Sequence, residues 1–143
     1  MDTPSPGLTI HQDHPLPPFD GSSIVRLLSQ TAEAEGHQIG EVGVILAGHA
    51  LVHELNRTHL QHDYITDVLS FPLHEPGDAI EGEIYVDVET AQERFAEFGT
   101  SLEAEVLRYV VHGFLHLLGY DDATPEEREA MRLKEDRYLQ QFT

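Results

Sequence analysis

The sequence predicts an α+β domain in which helices cover a single small mixed sheet. Four short apolar or alternating segments are typical of strands, and segments of helical periodicity lie between them. The last third of the chain is helical in pattern, which favours one sheet covered by helices. A length of 143 residues suits one core. We therefore expect a flexible N-terminus at residues 1–7 and one domain at residues 8–143.

The first two thirds of the chain are predicted to mix strands with helices. Leu8–His14 has the pattern of an edge strand, which the prolines at 15–18 end. Apolar residues at helical spacing then indicate a helix that Asp20 or Ser22 caps and that ends near Gly36. The next predicted elements are a buried strand at Val42–Ala47, a helix at Ala50–Leu60, strands at Val68–Leu73 and Glu83–Val88, and a helix at Thr90–Phe98.

Two longer helices complete the predicted fold. Ser101 is a suitable N-cap for the first, and Gly119 is its expected stop. The second begins after Thr124, has Pro125 at its first position and extends to about Leu139. Its acidic residues are predicted to form a solvated face: Glu126, Glu127, Glu129, Glu135 and Asp136.

The composition excludes several classes of protein. Cysteine is absent, which excludes disulfides, zinc–thiolate sites, iron–sulfur clusters and cysteine nucleophiles. No apolar run approaches the roughly 18 residues that a membrane span requires, and the N-terminus lacks the features of a secretory signal. We therefore expect a cytoplasmic protein with no membrane partner.

The charge of the chain is unusual. Asp plus Glu number 26 and Lys plus Arg number 8, a formal net charge of −18, and Lys134 is the only lysine. A wide basic face for gripping nucleic acid is therefore not expected. Because acid-rich surfaces keep proteins soluble at high ionic strength, a salt-rich cytoplasm is one hypothesis for this charge, and ordinary variation is the alternative.

The strongest chemical pattern is a pair of histidines, His112 and His116, which lie four positions apart on one face of a predicted helix. Gly119 then lets the chain turn, so that Asp122, or alternatively Asp121, can return to the same ion. This is the spacing of metzincin zinc sites. Three protein ligands leave one zinc position open, which is typical of a catalytic site rather than a structural one.

A metallopeptidase is the weaker interpretation of this spacing. Peptidases of that type carry a general-base Glu directly after the first histidine, where this chain has Gly113. His49 and His53 have the same spacing as the first pair, but no glycine and acid follow at the required distance. They predict only a half-exposed helix face.

Further blocks of sequence extend the histidine pattern. They are Gly119-Tyr120-Asp121 after the histidines, Leu55-Asn56, Asp63, Thr66-Asp67-Val68-Leu69-Ser70-Phe71-Pro72, Gly82-Glu83-Ile84, and Met131 with Glu135. Together these blocks, over roughly residues 8–140, resemble the YbeY endoribonucleases, the rRNA maturation factors.

The resemblance implies a fold, a cofactor and an activity. It implies a compact α+β fold with a zinc ion at the end of a cleft, held by His112, His116 and position 122. It also implies a single-strand-specific endoribonuclease that matures ribosomal RNA, notably the 3′ end of the small-subunit rRNA, and that takes part in ribosome quality control. The implied partners are single-stranded RNA, including rRNA, and the ribosome or its small-subunit proteins.

Two positions depart from the family pattern. Asp122 stands where most members have histidine. A carboxylate can ligate zinc, but with this anionic ligand the ion lowers the pKa of its bound water less than it would with a neutral one. The carboxylate also makes Mn²⁺ a stronger competitor of zinc for the site. Leu60 stands where typical members have an arginine that lines the RNA cleft, so a phosphate clamp is missing. His59, His62 and Arg57 are the nearby residues that could partly replace it.

The catalytic residues are left open by the sequence. Asp67 and Ser70 lie in the densest part of the family motif, and with His59 they are the candidate catalytic residues. Alternatively, Asp67 satisfies backbone donors where the chain enters a strand. The nucleophile is either water or a ribose 2′-hydroxyl. A non-catalytic ribosome-assembly factor that uses its metal for structure is the alternative function.

Overall fold

The computed structural model describes residues 7–13, 21–59, 67–97 and 99–142, with His59 and Phe142 described by their backbone only. The elements are β1 (Leu8–Gln12), α1 (Gly21–Glu35), β2 (Ile39–Ala47), α2 (His49–His59), β3 (Val68–Pro72), β4 (Ile80–Asp87), α3 (Val88–Arg94), α4 (Leu102–Leu117) and α5 (Pro125–Phe142).

The four strands form one mixed sheet in the order β1-β2-β4-β3. β2 pairs in parallel with β1 and with β4, whereas β3 pairs antiparallel with β4. The edge position predicted for the first strand is therefore confirmed, as is the α+β class with a mixed sheet. Central strands are buried on at least one face, and in β2 the side chains of Val42, Val44 and Leu46 are at most 1% exposed.

Apolar side chains on the two faces of the sheet form two separate clusters. The larger cluster joins Val44 and Ile84 to residues of α1, α4 and α5. The smaller cluster joins Leu69, Ile45 and Tyr85 to Val52 of α2. Because successive strand residues point to opposite faces, α2 covers one side of the sheet and the three longer helices cover the other. Within the described segments, none of the helices combines the length and the apolar character that a membrane span requires.

The boundary between β4 and α3 differs from the prediction. Val88 is the first residue of a helix rather than the last residue of a strand, and that helix ends at Arg94. The reason is local, since the buried carboxylate of Asp87 accepts a hydrogen bond from the backbone N–H of Thr90 and caps the helix. Phe98, the predicted end, lies outside the described residues.

The N-terminal boundary of the domain stays a prediction. Residues 1–6 lie outside the described part of the chain, as do His14 and Asp20, and α1 already includes Ser22 as its second residue. Gly7, at a φ of +91°, forms a turn whose carbonyl accepts a hydrogen bond from the N–H of Val42, 2.6 Å away. This bond ties the start of β1 to β2.

Candidate metal centre

The centre is built on α4, which packs closely against the sheet. Ser101 caps the helix as predicted, because its Oγ accepts from the N–H of Ala104 at 3.1 Å. At Gly113 the helix is so near the sheet that a Cβ atom there would lie 2.7 Å from Cγ2 of Ile84 and 2.9 Å from Cγ2 of Val68. The missing side chain therefore allows the helix to approach the sheet closely at the position that directly follows His112.

The turn after α4 returns the chain towards the two histidines. Gly119 has a φ of +106°, a conformation that favours glycine. Its N–H donates to the carbonyl of His116, and the N–H of Tyr120 donates to the carbonyl of Leu115. These two bonds close the helix end in the manner of a Schellman motif, and Asp122 follows two residues after Tyr120.

Three ligand atoms converge at this turn. Nε2 of His112 lies 3.2 Å from Nε2 of His116, and Oδ2 of Asp122 lies 3.2 Å from the first nitrogen and 3.4 Å from the second. The edges of a tetrahedron around a zinc ion with ligands at about 2.0–2.1 Å measure about 3.3–3.4 Å. The three donors thus fit a tetrahedral ion at one common point. Asp121, the alternative ligand, is exposed and does not belong to this group.

The Glu135 carboxylate contacts His112 at the ring nitrogen that does not face the other two ligand atoms. Nδ1 of His112 lies 2.5 Å from Oε2 of Glu135, whose side chain is 8% exposed. With Nδ1–H donating to this carboxylate, the lone pair of Nε2 is left to face the other two donors. The other oxygen of Glu135 accepts from Arg108 at 2.9 Å, and Arg108 also donates to Asp136 at 2.7 Å.

This placement corrects one expectation. Glu135 was predicted to lie on a solvated acidic face, but it is buried. The pattern of α5 contains a signal for this, because Met131, Glu135 and Tyr138 recur at helical spacing and all three are buried. An acid on an apolar stripe indicates a buried partner, which here is His112.

The comparisons with known proteins agree with this geometry. A family model described as Endoribonuclease YbeY matches residues 18–143. The chain belongs to the YbeY family. Among its relatives, the Endoribonuclease YbeY of Salinibacter ruber is 47% identical over an alignment of 140 residues, and the match covers 92% of this chain and 89% of the relative. That of Chlorobaculum tepidum is 38% identical over 121 residues, 85% and 88% of the two chains.

A solved structure shares the fold. The solution structure of TM1509 from Thermotoga maritima is 31% identical, with a TM-score of 0.62 over 94% of this chain and 88% of that one. The YbeY family and the α+β fold, both expected from the sequence, are therefore confirmed.

The YbeY motif around β3 lies beside the metal centre. The Ser70 hydroxyl donates to the carbonyl of Gly113 at 2.8 Å and so joins β3 to α4. The Asp67 carbonyl accepts from the N–H of Asp87, which ties the start of β3 to the end of β4. Burial raises the pKa of the Asp67 carboxyl, and the nearby charges of His112 and Arg94 oppose this only in part.

Among the three residues that could partly replace the phosphate clamp, Arg57 is the one whose side chain belongs to the described part of the chain. His59 is the last residue of α2, and its side chain lies outside the described residues, as do Leu60, His62 and Asp63. Arg57 is exposed and donates to Glu54, three residues before it on the same helix.

The electrostatics of the centre are dominated by carboxylates. Burial lowers the pKa of His112, but the hydrogen bond to Glu135 and the charges of Glu135, Asp67 and Asp122 outweigh it, so that the pKa is raised above its ordinary value. The carboxylates that stabilise the protonated form of His112 also stabilise a metal cation placed between the three ligand atoms. The arrangement can therefore hold a divalent ion.

Proposed function

We propose that this chain is a metal-dependent endoribonuclease that cleaves single-stranded RNA. The observation that carries the proposal is the convergence of Nε2 of His112, Nε2 of His116 and Oδ2 of Asp122 at tetrahedral spacing. Its relatives in the family carry the name endoribonuclease, and RNA is the substrate class that this name implies.

The proposed ligands are His112, His116 and Asp122, and the proposed ion is zinc, with manganese as the competitor. When bound, such an ion supplies Lewis-acid polarisation of a phosphoryl oxygen and lowers the pKa of water at the site. Two imidazole ligands favour zinc, whereas a carboxylate ligand increases the relative affinity for a harder ion such as manganese. Glu135 orients His112 for either ion.

Asp67 is the proposed general acid–base residue. Its carboxyl lies near His112 at the start of β3, and its pKa is raised by burial. A carboxyl that keeps its proton to higher pH is better matched to proton transfer near neutrality than an exposed one. Whether the nucleophile is water or a ribose 2′-hydroxyl, the Asp67 carboxylate can accept a proton from the attacking oxygen and return it to the leaving oxygen. Ser70 is proposed to have a structural role, because its hydroxyl joins β3 to α4 through the hydrogen bond to the carbonyl of Gly113.

The proposed biological substrate is ribosomal RNA, in particular the 3′ end of the small-subunit species, with a further part in ribosome quality control. Ribosomal or small-subunit proteins are the proposed partners, and the cytoplasm, where the ribosome is found, is the proposed compartment. These statements rest on the family.

A non-catalytic assembly factor is the second candidate, and a specific observation favours it. Several cations of the described segments are engaged by acids of the same chain: Arg108 by Glu135 and Asp136, Arg132 by Glu129, and Lys134 by Glu35. These ion pairs and the formal net charge of −18 both weaken the attraction of the chain for a phosphate backbone.

A metallopeptidase is less well supported than either. The position that would carry the peptidase base is Gly113, and a Cβ there would meet Ile84 and Val68 of the sheet. A glutamate at this position would therefore point into the core rather than towards the ion.

The deciding experiment is cleavage of a labelled single-stranded RNA by purified protein, with zinc or manganese supplied. His116→Ala is compared with the wild type, and His37→Ala, which changes an exposed histidine elsewhere, is the matched control. The proposal expects cleavage by the wild type and the control but not by His116→Ala, with the circular dichroism spectrum unchanged. Unfolding of His116→Ala without any cleavage by the wild type favours the assembly factor, and digestion of an unfolded protein substrate would favour the peptidase.

A further inference from the structure

The third ligand places strict demands on the short connection between α4 and α5. Asp122 lies in this connection, between the end of α4 at Leu117 and the start of α5 at Pro125. A carboxylate reaches less far from its Cα than an imidazole does. An aspartate at position 122 therefore meets an ion held by the two histidines only if the backbone of the connection is held close to α4.

The far end of the connection is held by the first turn of α5. Oε1 of Glu127 accepts hydrogen bonds from the N–H groups of Ala123 and Thr124, at 3.1 and 3.0 Å. The N–H of Glu127 in turn donates to the Thr124 hydroxyl at 3.1 Å, which completes a capping box. These bonds fix the residues that follow Asp122.

The near end of the connection is held by a carboxylate on a different helix. Glu35, the last residue of α1, has a side chain that is 9% exposed. It accepts hydrogen bonds from the Tyr120 hydroxyl at 2.6 Å, from Nζ of Lys134 at 3.0 Å, and from the Tyr138 hydroxyl. We call these four residues the Glu35 cluster.

The chemistry of the Glu35 cluster is complementary. Lys134, the only lysine of the chain, also lies 4.9 Å from the centre of the Tyr120 ring, within the range of a cation–π contact. Burial alone would raise the pKa of Glu35, but the hydrogen bonds from Tyr120, Tyr138 and Lys134 outweigh it and hold the pKa below its ordinary value. The carboxylate is therefore an ionised acceptor for both tyrosines.

Tyr120 links this cluster to the metal centre. Its N–H donates to the carbonyl of Leu115 in α4, and its hydroxyl donates to Glu35 in α1. Two residues later, the Asp122 carboxylate meets both histidines. Tyr138 binds the same Glu35 carboxylate but belongs to α5, beyond the connection.

We propose that Tyr120 is a positioning residue for the metal centre, because its hydrogen bond to Glu35 holds the connection where the Asp122 carboxylate can bind an ion together with His112 and His116. The proposal rests on the metal centre of the proposed function. Through this link, α1, which contributes none of the three proposed ligands, affects the affinity of the centre.

The test compares two variants that each remove one hydroxyl from the same carboxylate, Tyr120→Phe and Tyr138→Phe. The dissociation constants for Zn²⁺ and Co²⁺ are measured by competition with a chelator, and the visible absorption of bound Co²⁺ reports its coordination. Thermal unfolding of the metal-free proteins measures the structural cost of each change.

Tyr120→Phe is expected to weaken metal binding roughly tenfold, the low end of the effect of removing a group that supports a ligand, and to alter the Co²⁺ absorption. Tyr138→Phe is expected to leave the metal affinity and the Co²⁺ absorption close to those of the wild type, even if the two variants lose similar thermal stability. Equal effects of the two variants on affinity, or no effect of either, would overturn the positioning role alone. A wild-type chain that binds neither ion would overturn the metal centre, and the positioning role with it.

Discussion

Oε2 of Glu135 lies 2.5 Å from Nδ1 of His112, on the side of the imidazole opposite the nitrogen that faces Asp122. One ring therefore connects a buried carboxylate of α5 to the point where the three donors converge. The carboxylate fixes the orientation of the ring before any ion arrives, which reduces the entropy that is lost when the ion binds.

The first prediction concerns this carboxylate. Glu135→Gln keeps the shape of the side chain but removes its charge, so we expect metal affinity to fall by about 10–100-fold. Chelator competition measures the change. Asp136→Asn is the matched control, because Asp136 also accepts from Arg108 and lies one position further along the helix. An equal loss in both variants would show that the Arg108 network, rather than the contact with His112, matters.

The second prediction concerns Gly113, which lies between the two proposed histidine ligands. In an unobstructed helix interior, Gly→Ala stabilises by about 1 kcal/mol. At Gly113 the new Cβ would lie 2.7 Å from Ile84 and 2.9 Å from Val68, and overpacking of this kind costs about 1–3 kcal/mol. We therefore expect Gly113→Ala to lower the free energy of unfolding in urea. A variant more stable than the wild type would contradict the close packing of α4 on the sheet.

The third prediction concerns the choice of ion. Asp122→His replaces an anionic proposed ligand with a neutral one, which favours a borderline metal over a harder one. We expect the ratio of the Mn²⁺ to the Zn²⁺ dissociation constant to rise. Isothermal titration with each ion measures it, and a ratio that stays constant or falls would count against Asp122 as a ligand.

The fourth prediction concerns a histidine away from the metal centre. Nδ1 of His49 lies 2.6 Å from Asp87 at the end of β4, and Nε2 lies 3.0 Å from Glu93 of α3. Hydrogen bonds to Glu93 and Asp87 raise the pKa of His49 from 6.5 to about 9, although burial opposes them. The helix face predicted from the spacing of His49 and His53 thus carries an ion pair that joins α2 to α3.

Because the folded state binds the proton of His49 more tightly than the unfolded state does, its contribution to stability is fully present below pH 6.5 and is lost as the pH rises through 9. The free energy of unfolding is measured against pH for the wild type and for His49→Gln. The difference between them should shrink from pH 6.5 to pH 9 and beyond. A difference that does not change with pH would mean that folding leaves the pKa of His49 unchanged, which would contradict the proposed ion pairs with Asp87 and Glu93.

Elements of the fold with local signals were predictable from the sequence. The apolar run at Val42–Ala47 is a strand because its side chains fill both faces of the sheet, and α4 is bounded by Ser101 and Gly119 because capping is local chemistry. The strand assigned to Val88 was wrong for a related reason. Alternation continues through this residue, but the side chain of Asp87 caps a helix there. Strand order depends on pairing between distant segments, which periodicity does not encode.

The same distinction applies to the site. The convergence of His112, His116 and Asp122 follows from one helical turn and one glycine, so spacing in the sequence was sufficient to predict it. Glu135 lies 23 residues from His112, and Tyr120 lies 85 residues from Glu35. Contacts between such distant positions depend on how whole helices pack, and in the sequence they leave only indirect signs, such as an acid on an apolar stripe.

The arrangement of the helices also bears on the protein's own synthesis. The proposed ligands and Glu135 all lie between the start of α4 and the end of α5, whereas the Glu35 cluster requires α5 to meet α1 near the beginning of the chain. Because a chain emerges from the ribosome N-terminus first, the proposed ligands gain these supporting contacts only after α5 has emerged. A nascent chain from which α5 has not yet emerged therefore lacks both the carboxylate that orients His112 and the contact of Lys134 with Glu35.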